Sequence, residues 1–278
     1  MLVLPLTQFL VFTLFVNVNT FILAFKAPIG GGGIAAHIRQ FRYEWTESDR
    51  WQRAIFNSLG YFPTSSLIAL PVSIMTAYFL FKKVPMYKAY KIVFFIPSII
   101  SVVVMGLAFR MVFSYNGPID KLFLLFGADR NWIPSWLSDD KVTMYVLYFY
   151  AIWAAIGYNC ILLFGAMSRI PDDVVDSARL DGCGILREIW QIYVPIMWPT
   201  VSMMVMFGVS TVFAMFIHSQ VLVRGEGATQ TIVYLIMGQI TRNPNYAAFL
   251  SLGLIFIAVP TVLASKWGLG KVFDAVEV

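Results

Sequence analysis

An all-α integral membrane protein with six transmembrane helices is the fold that this sequence predicts, and three observations carry the prediction. Of 278 residues, 59% are hydrophobic and only 13% charged, against about 45–50% apolar and about 25% charged in a soluble globular protein. The 24 Phe, 13 Tyr and 8 Trp leave too little polar surface to cover a water-soluble particle. The apolar residues also gather in runs that can cross roughly 30 Å of hydrocarbon, which takes about 20 residues of helix. A soluble enzyme is excluded on this composition, and so is disorder, which needs low hydrophobicity.

Residues 1–25 form the first run without Asp, Glu, Lys or Arg. The second, 54–81, is trimmed to about 62–81 by Pro63 and the polar Thr64-Ser65-Ser66. The third, 92–109, ends at Arg110, whose charge can snorkel to the interface. The fourth is 142–168. The fifth begins after Glu188 and runs to about Ile217, with Pro195 and Pro199 kinking its start. The sixth is 243–265, and the run 229–241 is too short to span, so it reads as an interfacial or re-entrant helix. The first run is not a secretory signal. It lacks a basic start, far exceeds the usual 7–15 apolar residues, and no small-x-small cleavage site follows it.

The loop 82–91 carries Lys82, Lys83, Lys88 and Lys91 with no acid, the mark of a cytoplasmic loop. That choice puts both chain termini, the segment 168–194 and the tail from Lys266 inside. Nine Lys and Arg then fall inside and eleven outside, but the outer segments are longer and long loops count for little in this rule. The chain divides into a first transmembrane helix (1–25), an extracytoplasmic segment (26–53) and a core (54–278). Tyr43, Trp45, Trp51, Trp132 and Trp136 suit the outer membrane–water boundary, and Asn116-Gly117-Pro118 is a turn signal. Gly30 to Gly33 follow no strand and precede no Gly-Lys-Ser, so they read as a flexible connection rather than a phosphate loop. The net charge of +5 is a topology signal in so apolar a chain, and no nucleic-acid partner is expected. Cys160 and Cys183 have no metal-ligand spacing. His218 has no companions to complete a metal site.

The most informative stretch lies between the fourth and fifth spans, Ile170-Pro171-Asp172-Asp173-Val174-Val175-Asp176-Ser177-Ala178-Arg179-Leu180-Asp181-Gly182-Cys183-Gly184. Pro171 suits a first helical position, and Asp172 and Asp173 sit where the helix dipole favours negative charge. Arg179 falls in the last turn, and Gly182 is placed for the left-handed C′ conformation. Val174, Val175 and Ala178 share one face. A second helix then starts, with Ile185, Ile189 and Ile192 aligned and Arg187, Glu188 and Gln191 on the other side. Such an arrangement is either a plug for a protein groove or an ordinary amphipathic connector.

This stretch resembles the "EAA" loop of permease subunits in binding-protein-dependent ABC importers. That pattern is Glu-Ala-Ala, two residues, Asp-Gly-Ala, and a Leu-Pro after a fixed interval. Here Asp176-Ser177-Ala178 stands for the first element, Asp181-Gly182-Cys183 for the second and Val194-Pro195 for the third, with Ile170-Pro171 upstream. Asp for Glu, Ser for Ala and Cys for Ala are the departures. Asn57-Ser58-Leu59, Phe94-Phe95-Ile96-Pro97, Phe109-Arg110-Met111-Val112-Phe113 and Asn116-Gly117-Pro118 resemble the carbohydrate branch, on the side of the maltose-type larger permease. The likeness covers roughly residues 55–265.

The resemblance implies a type I permease in a bacterial cytoplasmic membrane, with a cytoplasmic coupling helix in 168–194 that inserts into an ATPase subunit. The docking residues would be Val174, Val175, Asp176, Ser177, Ala178, Arg179, Asp181 and Gly182. Implied partners are a second permease, more often different than identical, two cytoplasmic ATPase subunits, an extracytoplasmic solute-binding protein and the lipid bilayer. The chain itself would bind no cofactor, ATP-Mg being held by the ATPase subunits, and would carry no catalytic residue. Spans four and five line the pathway in this family. Polar groups at mid-membrane are costly unless used, so Trp153, Tyr158, Asn159, Ser210 and Thr211 are the candidate solute contacts, with sugar as the implied solute.

Other readings weigh less. Glycerol phosphate or a polyamine could replace the sugar. An ion-coupled secondary transporter needs an internal repeat and a mid-span ionisable residue, and neither is present. An intramembrane hydrolase built from Ser210 and His218 would hold them about 12 Å apart along one helix, where a nucleophile and base must approach to about 3 Å. The ATPase role is excluded because no Gly-x-x-x-x-Gly-Lys-Ser/Thr occurs.

Overall fold

The computed structural model describes residues 3–26, 33–225 and 227–271. Gly30, Gly31 and Gly32 and the end of the tail, 272–278, lie outside the described residues. Among the described residues every regular element is helical. In chain order, α1 (Pro5–Phe25) leads to α2 (Gly33–Glu47) and α3 (Arg50–Phe81). Then come α4 (Tyr87–Ile99), α5 (Val102–Val112) and α6 (Pro118–Leu125). The long α7 (Thr143–Met167) precedes α8 (Asp172–Leu180), α9 (Ile185–Ile196) and α10 (Trp198–Ala214). Finally α11 (Ile217–Val223) and α12 (Ile232–Ile240) lead to α13 (Pro244–Leu269).

Among the described residues four helices, α1, α3, α7 and α13, are long and apolar enough to cross a membrane, and the count reaches six if α4 with α5 and α9 with α10 each form one span. Those two pairs are bent by 112° and 85°. The sequence predicts an unbroken third span over 92–109, and the break has a local cause. Pro97 offers no N–H to the preceding turn, and Ile100 and Ser101 then turn extended, with ψ of 144° and 133°. The bend before α10 falls at Met197, between Pro195 and Pro199, as the prolines predict.

The second span differs more. Thr64-Ser65-Ser66 does not end it, and α3 runs unbroken from Arg50 through a wide π-helical turn, Pro63–Ala69. A wide turn tolerates the missing proline N–H. The hydroxyls of Thr64 and Ser65 donate back to Gly60 O at 2.7 Å and Phe62 O at 3.1 Å, so these two polar groups are satisfied within their own helix. The segment expected as a mixed-charge stretch before this span is mostly α2, clamped onto α13. Glu44 Oε2 accepts from Trp51 Nε1 at 3.0 Å and from the Tyr246 hydroxyl at 3.1 Å, while the His37 ring stacks 5.4 Å from Phe249.

The α7 helix is the axis of the bundle. Its Ile156, Cys160, Leu163 and Met167 pack with Leu70, Ile74, Ala77 and Tyr78 of α3. At Gly157 the backbone of α4 comes so near that a Cβ would press on Phe94 O and lie 2.8 Å from Ser98 Oγ. One end of the bundle is closed by contacts from Lys82, just past α3, to Glu188 in α9, and from Trp198 Nε1 to Leu269 O at 3.1 Å. At the other end Asn57 Nδ2 donates to Ala228 O and Gln230 O at 2.6 and 2.9 Å, and Asp140 Oδ1 accepts from Ala228 N at 2.9 Å.

Between α5 and α7 the chain folds around Asp120, which is 1% exposed. Its Oδ2 accepts from Arg130 Nη1 at 2.7 Å and Asn116 N at 2.8 Å, and its Oδ1 accepts from Trp136 Nε1 at 2.9 Å. Burial alone would raise the Asp120 pKa; the bonds from Arg130, Asn116 and Trp136 outweigh it and hold the carboxyl below the usual range.

Two outcomes follow. Gly157→Leu should force α4 off α7 against a backbone carbonyl that cannot rotate away, an overpacking cost of about 1–3 kcal/mol. Detergent thermal-shift assays should show a lower melting temperature than for Gly165→Leu, whose site is open. The lowered Asp120 pKa means that its cluster stabilises the fold above about pH 4 and is lost as pH falls through the lower folded value. Trp136 fluorescence should therefore report an acid transition that Asp120→Asn removes.

Candidate functional site

The loop between α7 and α9 begins with Pro171 in the extended region, φ −61° and ψ 137°, so the chain enters α8 at Asp172 with two aspartates in the first turn. It ends with Gly182 at φ +77°. Gly182 N donates to Arg179 O at 3.0 Å and Cys183 N to Ala178 O at 3.1 Å, the paired bonds of a Schellman stop. The glycine stop is the one the residue order predicts, whereas Pro171 does not take the first helical position expected of it but precedes the helix as its extended cap residue, leaving Asp172 to start the first turn.

The faces of α8 are sorted by what lies beneath them. Val175, 4% exposed, packs with Met167, Ile170, Ile189 and Tyr193. Neighbouring residues of a helix point about 100° apart, so Val174 is directed outward with Asp172, Asp173, Asp176 and Ser177. Thus Val174 and Val175, read from the sequence as one docking face, are divided between two. Ala178 is half-buried, and Asp181 and Gly182 are exposed at the turn. Leu180, 90% exposed, extends the outward face, and Ile185 and Leu186 continue it beyond the turn. The docking set read from the sequence leaves out these three; Ile185, aligned there with Ile189 and Ile192, is exposed while Ile189 is buried.

Beneath α8 lies a buried carboxylate. Glu188 is 2% exposed. Its Oε2 accepts from Arg179 Nε at 3.2 Å, and its Oε1 accepts from Arg179 Nη2 at 3.3 Å and lies 3.2 Å from Lys82 Nζ. Lys82 also sits over the Tyr78 and Tyr193 rings, 5.7 and 5.4 Å from their centroids. Burial disfavours its charge, but Tyr193 and Glu188 more than compensate and hold its pKa above the ordinary value. Arg179 makes a longer 3.8 Å contact to exposed Asp176. Nothing in the sequence pairs positions 82 and 188; only the fold brings them together.

A second feature is a cavity of about 240 Å³ lined by Tyr61, Thr64 and Ser65 of α3, Ala151, Ala154 and Ala155 of α7, Thr211, Met215 and His218. Thr211 Oγ1 donates to Gly208 O at 2.7 Å, as Thr64 and Ser65 donate to their own helix. Each hydroxyl oxygen is left with acceptor capacity. Among the described residues, His218 Nδ1 and Ser66 Oγ are buried without a hydrogen-bond partner. Of the five candidate solute contacts, Thr211 alone lines this cavity. Ser210, a turn-angle away, lines a different pocket against Ala258 and Val262 of α13. Asn159 Nδ2 donates to Ser73 Oγ at 3.1 Å and ties α7 to α3. Trp153 stacks 6.3 Å from Phe109. Tyr158 is 55% exposed and continues the Ala151–Ala154–Ala155 stripe one turn further along α7. Thr64 and Ser65, which the sequence offers only as a polar interruption, are the cavity residues it hides.

The arabinooligosaccharides transport system permease protein AraP of Bacillus subtilis (strain 168) is 23% identical over 266 residues, covering 93% of this chain and 83% of that protein. The crystal structure of a bacterial ABC transporter involved in the import of the acidic polysaccharide alginate contains a chain that matches with TM-score 0.82 and 21% identity, over 98% of this chain and 94% of that one. The bacterial alginate ABC transporter in complex with alginate pentasaccharide-bound periplasmic protein matches with TM-score 0.77 and 21% identity, over 97% and 91%. Both structures share the fold. Residues 69–268 match the model of the binding-protein-dependent transport system inner membrane components, and the chain belongs to that family.

Proposed function

We propose that this chain is one permease subunit of an ATP-driven importer of sugars or oligosaccharides, crossing the membrane six times with both termini in the cytoplasm. The observation that carries the reading is the two-faced α8. A short helix that buries Val175 inward and presents Val174, Leu180, Ile185 and Leu186 outward, with Asp172, Asp173 and Asp176 around them, has the form of a helix made to enter a protein groove. In this reading the groove belongs to an ATPase subunit, which binds ATP-Mg and supplies the hydrolysis, so that this chain is not itself an enzyme. A second permease completes the pathway, and a solute-binding protein delivers the solute from outside. Switching between inward- and outward-facing states is then a population shift driven by ATP-dependent differences in affinity.

The cavity supports a polyhydroxylated solute. Acceptor oxygens of Thr64, Ser65 and Thr211 on the lining residues suit donors spaced around a sugar ring, and the names of the relatives agree. Tyr158 supplies an aromatic face further along the same stripe.

The deciding experiment is to tag the chain, express it with its native neighbours and identify the co-purifying proteins. Stoichiometric ATPase and second-permease subunits are expected, and vesicles of that complex should take up arabinooligosaccharides or alginate oligosaccharides only with ATP. A chain that purifies alone and still moves solute would overturn the reading. Gly182→Arg should abolish uptake while the protein still inserts. Open space surrounds Gly182 within the chain, and a side chain at positive φ costs roughly 1–2 kcal/mol, so the loss should arise at the partner surface and show as ATPase subunits that no longer co-purify. Thr211→Val keeps the shape and removes one acceptor. It should lower uptake roughly 2- to 12-fold, the worth of one neutral hydrogen bond, with assembly unchanged.

A further inference from the structure

Glu188 belongs to no docking motif, is not in the lining of the cavity described above and yet, among the described residues, is one of the most buried charged groups, 2% exposed. Its three short contacts come from two other elements, Arg179 in the last turn of α8 and Lys82 at the foot of α3, while Glu188 itself stands in α9, which leads through the bend at Met197 into α10. We infer that Glu188 is the positioning residue that makes α8, the foot of α3 and the start of α10 move as one body, so that a push on α8 reaches the helices around the cavity.

The physics of a buried carboxylate supplies the reason. Two oxygens withdrawn from water are held only by their partners, and removing one partner leaves an uncompensated buried charge. The α8 helix therefore cannot slide or tilt on its own without stranding Glu188, as it could if an exposed, water-exchanging pair joined them. The Arg179 contact is forked, with Nε on one oxygen and Nη2 on the other, so it fixes orientation as well as distance. Lys82 is held from below by the Tyr78 and Tyr193 rings, themselves edge-on to each other at 5.4 Å, so the third arm has a rigid seat. Val175 in the same apolar cluster keeps α8 pressed on this node. The two helices that the node reaches, α3 and α10, are those that carry Thr64, Ser65 and Thr211 at the cavity.

The inference rests on the importer reading, and the test separates the two. The complete complex, carrying Cys183→Ala and Ser65→Cys, is reconstituted, and two quantities are followed. One is ATP hydrolysis; the other is the rate at which a maleimide labels Cys at position 65 in the presence and absence of ATP with orthovanadate. Cys160 is fully buried and supplies little background. In the parent complex the nucleotide should change the labelling rate at least several-fold. With Glu188→Gln the ATPase subunits should still co-purify and hydrolysis should stay within about twofold, while the labelling response shrinks about tenfold. If Glu188→Gln fails to assemble, Lys82→Met decides, because it leaves the carboxylate paired with Arg179 and cuts only the arm to α3; the same loss of response at sustained hydrolysis is expected. A labelling response that persists in an assembled variant, or that falls only in proportion to hydrolysis, would make the node a static brace and overturn the inference. A parent complex with no ATPase subunit, or with no nucleotide response, would overturn the importer reading and the inference with it.

Discussion

Lipid offers no hydrogen bonds, and this single constraint organises the chain. Interruptions of the helices are answered by donors and acceptors at three places. The wide turn at Pro63–Ala69 is stitched by the hydroxyls of Thr64 and Ser65. Where α10 ends and Met215 turns extended, its freed carbonyl takes the Thr231 hydroxyl at 2.6 Å. The irregular connection before α12 is pinned by Asn57 and by Ser58 Oγ, which accepts from Ile232 N at 3.0 Å. The two sharp bends sit beside prolines, which have no N–H to lose.

The two ends of the bundle are closed by different sets of contacts. One end is polar through fixed hydrogen bonds that knit α3, α7 and the connection near Ala228 into a single rim. The other is built on charge, with Glu188 shared between Arg179 and Lys82 beneath a helix whose outer face is apolar and acidic. Hydrogen bonds that join neighbouring elements resist deformation of the rim, and the buried ionic node holds together the three elements that share it.

Much of the site was legible from residue order because it is local. Asp172, Asp173, Arg179 and Gly182 declare where α8 starts and stops, and the structure has the left-handed glycine and the paired stop bonds at those positions. The prolines at 195 and 199 declare the bend before α10. Orientation about the helix axis was not legible to the same degree. Val174 and Val175 are chemically alike, and which one turns inward depends on the apolar bed made by Met167, Ile189 and Tyr193. Ser210 and Thr211 pose the same ambiguity, settled by the positions of α3 and α13.

By itself, then, the sequence determined the membrane character, the helical class, the approximate spans and the punctuation of the loop, because each follows from composition over about 20 residues or from backbone preferences within a turn. Tertiary structure decided that Val175 rather than Val174 turns into the core, that Thr211 rather than Ser210 lines the cavity, and that Lys82 and Glu188 meet. Those outcomes depend on what another helix presents at a few ångströms. A methyl, a hydroxyl or a charge carries no sign in its own neighbourhood of the partner that it will meet.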